Sequence, residues 1–168
     1  DAMISRYFAG VVGDDFPDTL NISLKKTEHL RYGENSQQRA NGYVDPFVQE
    51  TLLDYEQLHG KEISFNNVND LYGAIAVVRE FKDQIVTAAI KHSTPCGVAI
   101  GKDGYDSYMK AYEADPQSIF GGIVAVNYKI DKKTAEEMHK IFLEIVAAPD
   151  FDDDALEVLK KKKNLRIL

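Results

Sequence analysis

Apolar residues in the middle of the chain switch between helical spacing and short continuous runs. From Asn67 to Phe81, hydrophobic side chains recur every three or four residues, which predicts a helix. Asn66, Asn67 or Asn69 is available as its N-cap. The segment QIVTAAI, residues 84–90, is then almost continuously apolar, as is typical of a strand buried on both faces.

The same alternation continues to the end of the sequence. A second helix is predicted over 103–114, and GIVAVN, residues 122–127, reads as another buried strand. A third helix is predicted to begin near Asp131, with an apolar face formed by Ala135, Met138, Ile141, Phe142 and Ile145. Pro149 closes it, the acidic segment DFDDD begins a fourth helix, and NLRIL is strand-like. Alternating helices and apolar strands predict an α/β fold with a mixed or largely parallel sheet and flanking helices.

The first third of the chain is less regular. Residues 2–10 are weakly helical, 11–18 read as a loop, and NISLKK, residues 21–26, alternates like a half-buried strand. A polar, glycine-containing loop follows over 29–42, and loops of this kind often carry function. Residues 43–58 are predicted to be extended and then to form a short helix.

The composition is that of one globular domain. The 168 residues are 44% hydrophobic and 28% charged, and no apolar run is long enough to span a bilayer. The net charge of −7 argues against nucleic acid as a partner, and a single cysteine excludes a disulfide framework, which favours the cytoplasm. Both ends lie within structured patterns, so we expect a piece of a longer polypeptide.

One dipeptide stands out chemically. Lys91 and His92 directly follow the most apolar strand, and Pro95 and Gly97 behind them favour a change of direction. The carboxyl ends of strands are where open α/β sheets place ligands, and imidazole suits general base catalysis near neutrality. The residues alone leave a second interpretation open, in which Lys91 extends into solvent and His92 only caps the turn.

Longer motifs make the pattern specific. LRYGENSQQRA resembles the LRYGENPHQ-type motif of the bifunctional AICAR transformylase/IMP cyclohydrolase family of purine synthesis. IKHSTPCGVAIG is similar to that family's KHTNPCGVA segment, and YMKAYEADPQSIFGGIVAVN resembles its SxFGGIxAxN signature. The segment from Phe142 to the end also resembles bacterial members, and all four stretches occur in family order along the whole chain.

The resemblance implies a domain organisation and an activity. Residues 1–168 correspond to a single domain, the first (N-terminal) half of the transformylase region, without the cyclohydrolase domain and the second transformylase half. The implied fold is cytidine-deaminase-like but lacks the zinc signature, so no metal is expected. The implied reaction is formyl transfer from 10-formyltetrahydrofolate, the co-substrate, to the 5-amino group of AICAR. The full-length enzyme is expected to be a cytoplasmic homodimer that also acts as an IMP cyclohydrolase, with no nucleic acid or membrane partner.

The resemblance also implies residue roles. His92 is the proton acceptor as the amine attacks, and Lys91 stabilises the transition state and helps to protonate the departing folate nitrogen. Substrate-binding positions are Arg31, Tyr32, Phe120, Gly121 and Glu144. Without the resemblance, Arg31 would be read as a surface cation and Gly121-Gly122 as a tight turn. Glu144 would be read as a polar residue late in an amphipathic helix.

Two positions depart from the family pattern, and one alternative function stays open. Ser36 and Gln37 stand where the motif usually has Pro-His, so no role is carried over to them. The chain could also be a nucleotide-binding or dimerisation module without turnover, with formyl transfer requiring the second half.

Overall fold

The computed structural model describes residues 2–13 and 16–168, and the chain divides into two compact units. The first, here called the small unit, comprises Asp1–His29 and Asn41–Asp54. The second, here called the sheet unit, comprises Leu30–Ala40 and Tyr55–Leu168. The expectation that 1–168 form a single domain of the transformylase region stays a prediction.

The small unit contains one helix and most of a two-stranded sheet. Helix α1 (Ala2–Val12) confirms the helix predicted over 2–10 and extends it by two residues, so the loop predicted over 11–18 is wrong at residues 11 and 12. Residues 14 and 15 of that loop lie outside the described residues. Strands β1 (Lys25–Leu30) and β2 (Ala40–Val44) pair with each other. The strand predicted over 21–26 is wrong in its first four residues, and residues 45–58 form turns and bends in place of the predicted short helix.

The sheet unit contains the remaining elements. In chain order these are α2 (Phe65–Arg79), β3 (Ile85–Lys91), β4 (Thr94–Gly101), α3 (Gly104–Ala114), β5 (Ile123–Val126), α4 (Lys132–His139), β6 (Ile145–Ala147), α5 (Asp153–Lys160) and β7 (Arg166–Ile167). The strand order is β4-β3-β5-β6-β7. Strand β3 pairs antiparallel with β4 and β5, while the β5–β6 and β6–β7 pairs are parallel. This mixed sheet with flanking helices confirms the predicted α/β class.

Both faces of the central strands are buried, as the continuous apolar runs predicted. On one face Ala88 and Ile90 of β3 pack in a cluster with Leu71, Ala74 and Val78 of α2. On the other face Ala89, Val124 and Val146 pack in a second cluster with residues of α3, α4 and α5. Alternate residues of each strand therefore contribute to opposite cores.

Helix α2 begins two residues before the predicted start, because its N-cap was not among the three asparagines considered. Ser64 is the N-cap, and its hydroxyl accepts from the backbone N–H of Asn67. The Asn67 side chain accepts in return from the Ser64 backbone N–H at 3.2 Å, which completes a capping box. The helix start is thus fixed by two reciprocal bonds.

The predicted change of direction behind Lys91 is confirmed, but it takes place at His92 and Ser93 as a tight hairpin. Pro95 and Gly97 do not form the turn, because both lie within β4, which runs back along β3.

One further expectation is wrong. The third predicted helix is too long, because α4 ends at His139 and Ile145 starts β6. Glu144 therefore precedes a strand and is not part of a helix.

Candidate functional site

A cleft of about 560 Å³ opens in the sheet unit where β3 ends, β5 begins and α2 starts. Its volume lies in the range of small-molecule sites. The lining is mostly polar and comprises Tyr32, Glu34, Asn35, Ser64, Asn66, Asn67, Asn69, Asp70, Lys91, His92, Ser93, Gly121, Ile123 and Glu144. Five of the seven residues predicted for the site therefore meet here: Tyr32, Lys91, His92, Gly121 and Glu144.

Lys91 brings a positive charge to the edge of the cleft. It is the last residue of β3 and half-buried, and its Nζ donates to the backbone oxygen of Phe120 at 2.7 Å. This bond uses one of three ammonium donors and holds the side chain across the sheet toward the segment that precedes β5. The alternative in which Lys91 simply extends into solvent does not describe this geometry.

His92 lies beside Lys91 because the chain leaves the strand between them. His92 and Ser93 have positive φ values of 50° and 59°, so the two form the turn between β3 and β4. In a continuing strand the side chains of consecutive residues would point to opposite faces. The turn is thus the physical reason that the imidazole and the ammonium line one cleft.

The hairpin turn is tied to α2 through side chains. Asp70 Oδ1 accepts from the Ser93 backbone N–H at 2.7 Å and from the Ser93 hydroxyl at 3.1 Å. The Asn69 side-chain amide donates to the same hydroxyl at 2.7 Å. Residues 23 and 24 positions apart in sequence are therefore joined at the rim of the cleft, and sequence reasoning missed both Asp70 and Ser93.

Glu144 also lines the cleft and belongs to a partly buried polar network. Its Oε2 accepts from the Asn67 side-chain amide at 3.1 Å and from the Arg166 guanidinium at 3.2 Å. Arg166 is only 4% exposed and also donates to the backbone oxygen of Glu62. Burial lowers the pKa of Arg166 and the Glu144 carboxylate opposes that shift, so the pair stabilises a charge that would otherwise be buried alone.

Only one member of the Arg31-Tyr32 pair lines the cleft. Tyr32 lines it, whereas Arg31 is exposed, absent from the lining, and stacks its guanidinium over the Tyr32 ring at 4.7 Å from the centroid. The backbone here pairs with the segment before α2, through Arg31 N–H to the Ile63 oxygen and Phe65 N–H to the Tyr32 oxygen. The cation–π contact keeps Arg31 at the cleft rim.

Phe120 and Gly121 also differ in their position relative to the cleft. The Phe120 ring is exposed outside the cleft and packs on Phe142 with centroids 5.7 Å apart, and its backbone oxygen receives Lys91. Gly121 lines the cleft with a φ of 73°, and its N–H donates to the Phe142 oxygen. The structure thus brings Gly121 into the cleft and leaves the Phe120 ring beside it.

Several lining residues had a weak signal in the sequence. Ser64 and Asn67 are spaced like the S/T-x-x-E/Q capping box, a pattern that finds the helix start but not the bond to Glu144. Asn66 donates its side-chain amide to the Glu34 backbone oxygen at 3.1 Å, which fixes the glycine-containing loop beside the helix. Sequence spacing therefore reveals the cap, which joins residues three apart, but not the cleft, whose residues come from distant parts of the chain.

A family model described as AICARFT/IMPCHase bienzyme matches residues 1–168. The chain belongs to this family. The bifunctional purine biosynthesis protein PurH of Clostridioides difficile (strain 630) is 57% identical over 170 residues, covering 100% of this chain and 33% of that protein. PurH of Bacillus cereus (strain ATCC 14579) is 53% identical over 169 residues, with the same two shares. The chain therefore spans about one third of the length of these AICARFT/IMPCHase relatives.

Solved structures of other proteins share part of the backbone arrangement. A dCMP deaminase from the cyanophage S-TIM5, in complex with dCMP and dUMP, has a TM-score of 0.47 at 9% identity, covering 60% of this chain and 96% of that chain. Acinetobacter baumannii RibD has a TM-score of 0.45 at 14% identity, covering 59% of this chain and 35% of that one.

The described part of the chain contains neither a metal-binding cluster nor a membrane-spanning helix. Among residues 2–13 and 16–168, no group of three or more His, Cys, Asp or Glu side chains is arranged to hold a metal ion. Within the same ranges, no helix is both long and apolar enough to cross a membrane. The cleft of this AICARFT/IMPCHase chain offers an imidazole, an ammonium, three carboxylates and several amides, which suit a polar organic ligand.

Proposed function

We propose that the chain carries the Lys-His part of an AICAR formyltransferase site, within an enzyme that also acts as an IMP cyclohydrolase. The observation that carries this proposal is the meeting of Lys91 and His92 at one polar cleft. Family membership supports it, since the relatives are bifunctional purine biosynthesis proteins. The cytoplasm as location and a homodimer as the assembly of the whole enzyme belong to the same proposal.

The proposed reaction needs a base and a stabilised oxyanion. The 5-amino group of AICAR is a poor nucleophile because its lone pair is delocalised into the ring, so a proton must leave as the bond to the formyl carbon forms. His92 accepts that proton, and Lys91 donates toward the formyl oxygen as negative charge develops there. The bond from the formyl carbon to the folate nitrogen then breaks, and that nitrogen takes up a proton with help from Lys91 and leaves as tetrahydrofolate. The bond from Lys91 to Phe120 supports this role because it holds the ammonium in place before the substrate arrives.

The walls of the cleft suit a ribonucleotide. Glu144 and the side-chain amides at the start of α2 offer hydrogen-bond partners to hydroxyl and carboxamide groups. Arg31, Tyr32, Phe120 and Gly121 complete the proposed binding set, with 10-formyltetrahydrofolate as co-substrate. Arg31 would have to swing from its place over the Tyr32 ring to reach a ligand in the cleft.

A second candidate is a nucleotide-binding or dimerisation module without turnover. The observation in its favour is the share of the relatives that the chain covers, about one third of their length. We therefore expect little or no formyl transfer by the chain alone, and turnover after addition of the remaining two thirds of a PurH polypeptide.

Calorimetric titration with AICAR tests the proposed site in the chain itself. We expect the wild type to bind, and Glu144→Gln to bind about tenfold more weakly because a charged acceptor is lost. Gln37→Ala, an exposed position outside the cleft lining, is the matched control and should bind as the wild type does. Absence of AICAR binding to the wild-type chain would contradict the proposal that this unit holds the nucleotide.

Formation of tetrahydrofolate from 10-formyltetrahydrofolate tests the catalytic roles in the supplemented sample. His92→Ala should lower kcat by about 100-fold or more, as expected for loss of a general base, with little change in the KM for AICAR. Turnover that persists in His92→Ala would assign the base elsewhere. AICAR binding without turnover in the supplemented wild type would contradict the proposal that this chain takes part in formyl transfer.

A further inference from the structure

The turn that carries His92 has an unfavourable backbone. His92 and Ser93 are its two central residues, and both have positive φ, as a two-residue type I′ hairpin requires. Such turns prefer Asn-Gly or Gly-Gly, because glycine adopts this conformation without steric conflict. Two consecutive residues with side chains in this region need surrounding structure to hold them there.

The contacts from α2 that hold the turn act on Ser93, and within the hairpin the Thr94 hydroxyl donates to the His92 backbone oxygen at 3.4 Å. The Asp70 carboxylate accepts both the backbone N–H and the hydroxyl of Ser93, and the Asn69 amide donates to that hydroxyl. A bond to an ionised acceptor is stronger than one between neutral groups. On the other side of His92, Lys91 is fixed by its pairing with Thr94 and by its bond to Phe120.

Asp70 is itself on a rigid support. It lies in the second turn of α2, directly before the fully buried Leu71 and six residues after the capping residue Ser64. Helix α2 packs against β3 through buried side chains that include Ala74 and Val78. The position of the carboxylate is therefore set by the core and not by the hairpin.

We propose that Asp70, assisted by Asn69, is a positioning residue that holds the His92–Ser93 turn in its left-handed conformation and so keeps the imidazole at the cleft. With Lys91 fixed on one side and Ser93 on the other, the backbone of His92 has little freedom. The inference rests on the proposed function in that it assumes His92 to act on a ligand in this cleft.

The competing explanation is that hairpin pairing alone sets the turn. Strands β3 and β4 remain paired up to Lys91 and Thr94, so the two-residue connection could be dictated by register. Loss of the carboxylate would then leave the turn unchanged. The two explanations differ in what Asp70→Ala does to Ser93, and this difference can be measured without turnover.

Nuclear magnetic resonance of the 168-residue chain provides the test. Scalar couplings and Cα shifts of residues 92 and 93 report the sign of φ, and amide exchange reports the bond from Ser93 to Asp70. In Asp70→Ala we expect the couplings to average and Ser93 exchange to rise by about 10- to 100-fold, as for loss of a charged hydrogen bond. Asp70→Asn keeps an acceptor oxygen, so its couplings and its Ser93 exchange rate should lie between those of the wild type and those of Asp70→Ala. Asp83→Ala, an exposed carboxylate between α2 and β3, controls for the lost charge.

A double variant connects the turn to the ligand. In Asp70→Ala/Ser93→Gly the second turn residue adopts positive φ without steric conflict, so the turn should re-form without the carboxylate. Addition of AICAR should shift the His92 ring resonances of the wild type. The shift should be much smaller in Asp70→Ala and should return in the double variant. Recovery of this kind would not follow if Asp70 contributed only charge or general stability.

The outcomes separate the two proposals. Wild-type couplings and wild-type Ser93 exchange in Asp70→Ala would overturn the positioning role, whatever AICAR does. A re-formed turn in the double variant without recovery of the His92 response would also overturn it, because Asp70 would then act by another route. If AICAR moves no His92 resonance in the wild type, the proposed function fails in this chain, while exchange and couplings still decide whether Asp70 holds the turn.

Discussion

Two segments at the same cleft use left-handed backbone, and they reach it in opposite ways. The β3–β4 turn does so with His92 and Ser93, which have side chains, and the segment before β5 does so with Gly121. The first needs bonds from Asp70 and Asn69 to Ser93, whereas the second needs only a glycine.

The difference follows from what each segment contributes. An imidazole can be placed at the turn only by a residue with a side chain, so the backbone conformation has to be stabilised from outside. Gly121 supplies left-handed backbone without a side chain, and Gly122 lets the chain lie close to the Ile90 and Ile119 backbone oxygens. Strain is thus located where side-chain chemistry is proposed, and glycine where a left-handed conformation or limited space requires it.

The largest expected effect is a loss of space at Gly122. A Cβ there would lie 2.8 Å from the Ile90 oxygen and 3.1 Å from the Ile119 oxygen, both backbone atoms that cannot rotate away. Gly122→Ala should therefore lower the free energy of unfolding by about 2 to 3 kcal/mol, measured by urea denaturation followed by circular dichroism. Gly73→Ala in α2 is the control, because its Cβ meets only the Ile90 side chain at 4.0 Å. That control should be stabilised by about 0.5 to 1 kcal/mol. If the stability of Gly122→Ala were unchanged, the neighbouring backbone would have to shift to accommodate the added methyl group.

A smaller effect is expected one residue earlier, where the limit is conformation and not space. A Cβ on Gly121 would make ordinary contacts of 3.6 Å with the Phe142 ring, but its φ is 73°. The left-handed conformation costs alanine about 1 to 2 kcal/mol, and reduced freedom of the unfolded chain offsets part of that. Gly121→Ala should lower the free energy of unfolding by about 1 kcal/mol. Gly121→Asn should lower the free energy of unfolding by less, because asparagine tolerates the left-handed region. Equal losses of stability in the two variants would argue for a steric cause.

The fold was predictable where local pattern and tertiary environment agree. The run that became β3 is apolar on both faces because both faces are buried, and α3 has the predicted bounds within one residue. Strand β6 was missed because Ile141 and Ile145 continue the helical spacing of α4, and three residues are too few to show alternation. Strand β4 contains a proline and two glycines, and only its pairing with β3 makes it a strand.

The site was predictable only in part, for a similar reason. The motif resemblance pointed to Lys91 and His92, which the structure brings to the cleft. It could not give the Asp70–Ser93 bonds, because residues 23 apart in sequence meet only after α2 packs on β3. Nor could it show that the Phe120 ring lies beside the cleft. Spacing along the chain predicts elements, but contacts between elements depend on the assembled sheet.

The smallest expected effect tests the strained turn directly. Glycine in place of His92, whose φ is 50°, removes the steric conflict but adds freedom to the unfolded chain. Histidine also tolerates positive φ better than most residues, so the net gain in the free energy of unfolding should be only about 0.5 kcal/mol.

Thr94→Gly in the same hairpin is the matched control for this variant. Thr94 starts β4 and is not among the residues with positive φ, so glycine there brings no relief and should destabilise by about 0.5 to 1 kcal/mol. The opposite signs of the two substitutions, measured by urea denaturation under identical conditions, are the decisive result. A loss of stability in His92→Gly would mean that the imidazole makes a stabilising contact, and that the turn is not held against its own preference. A gain in stability accompanied by loss of formyl transfer in the supplemented enzyme would mean that His92 is kept at this turn for its chemistry.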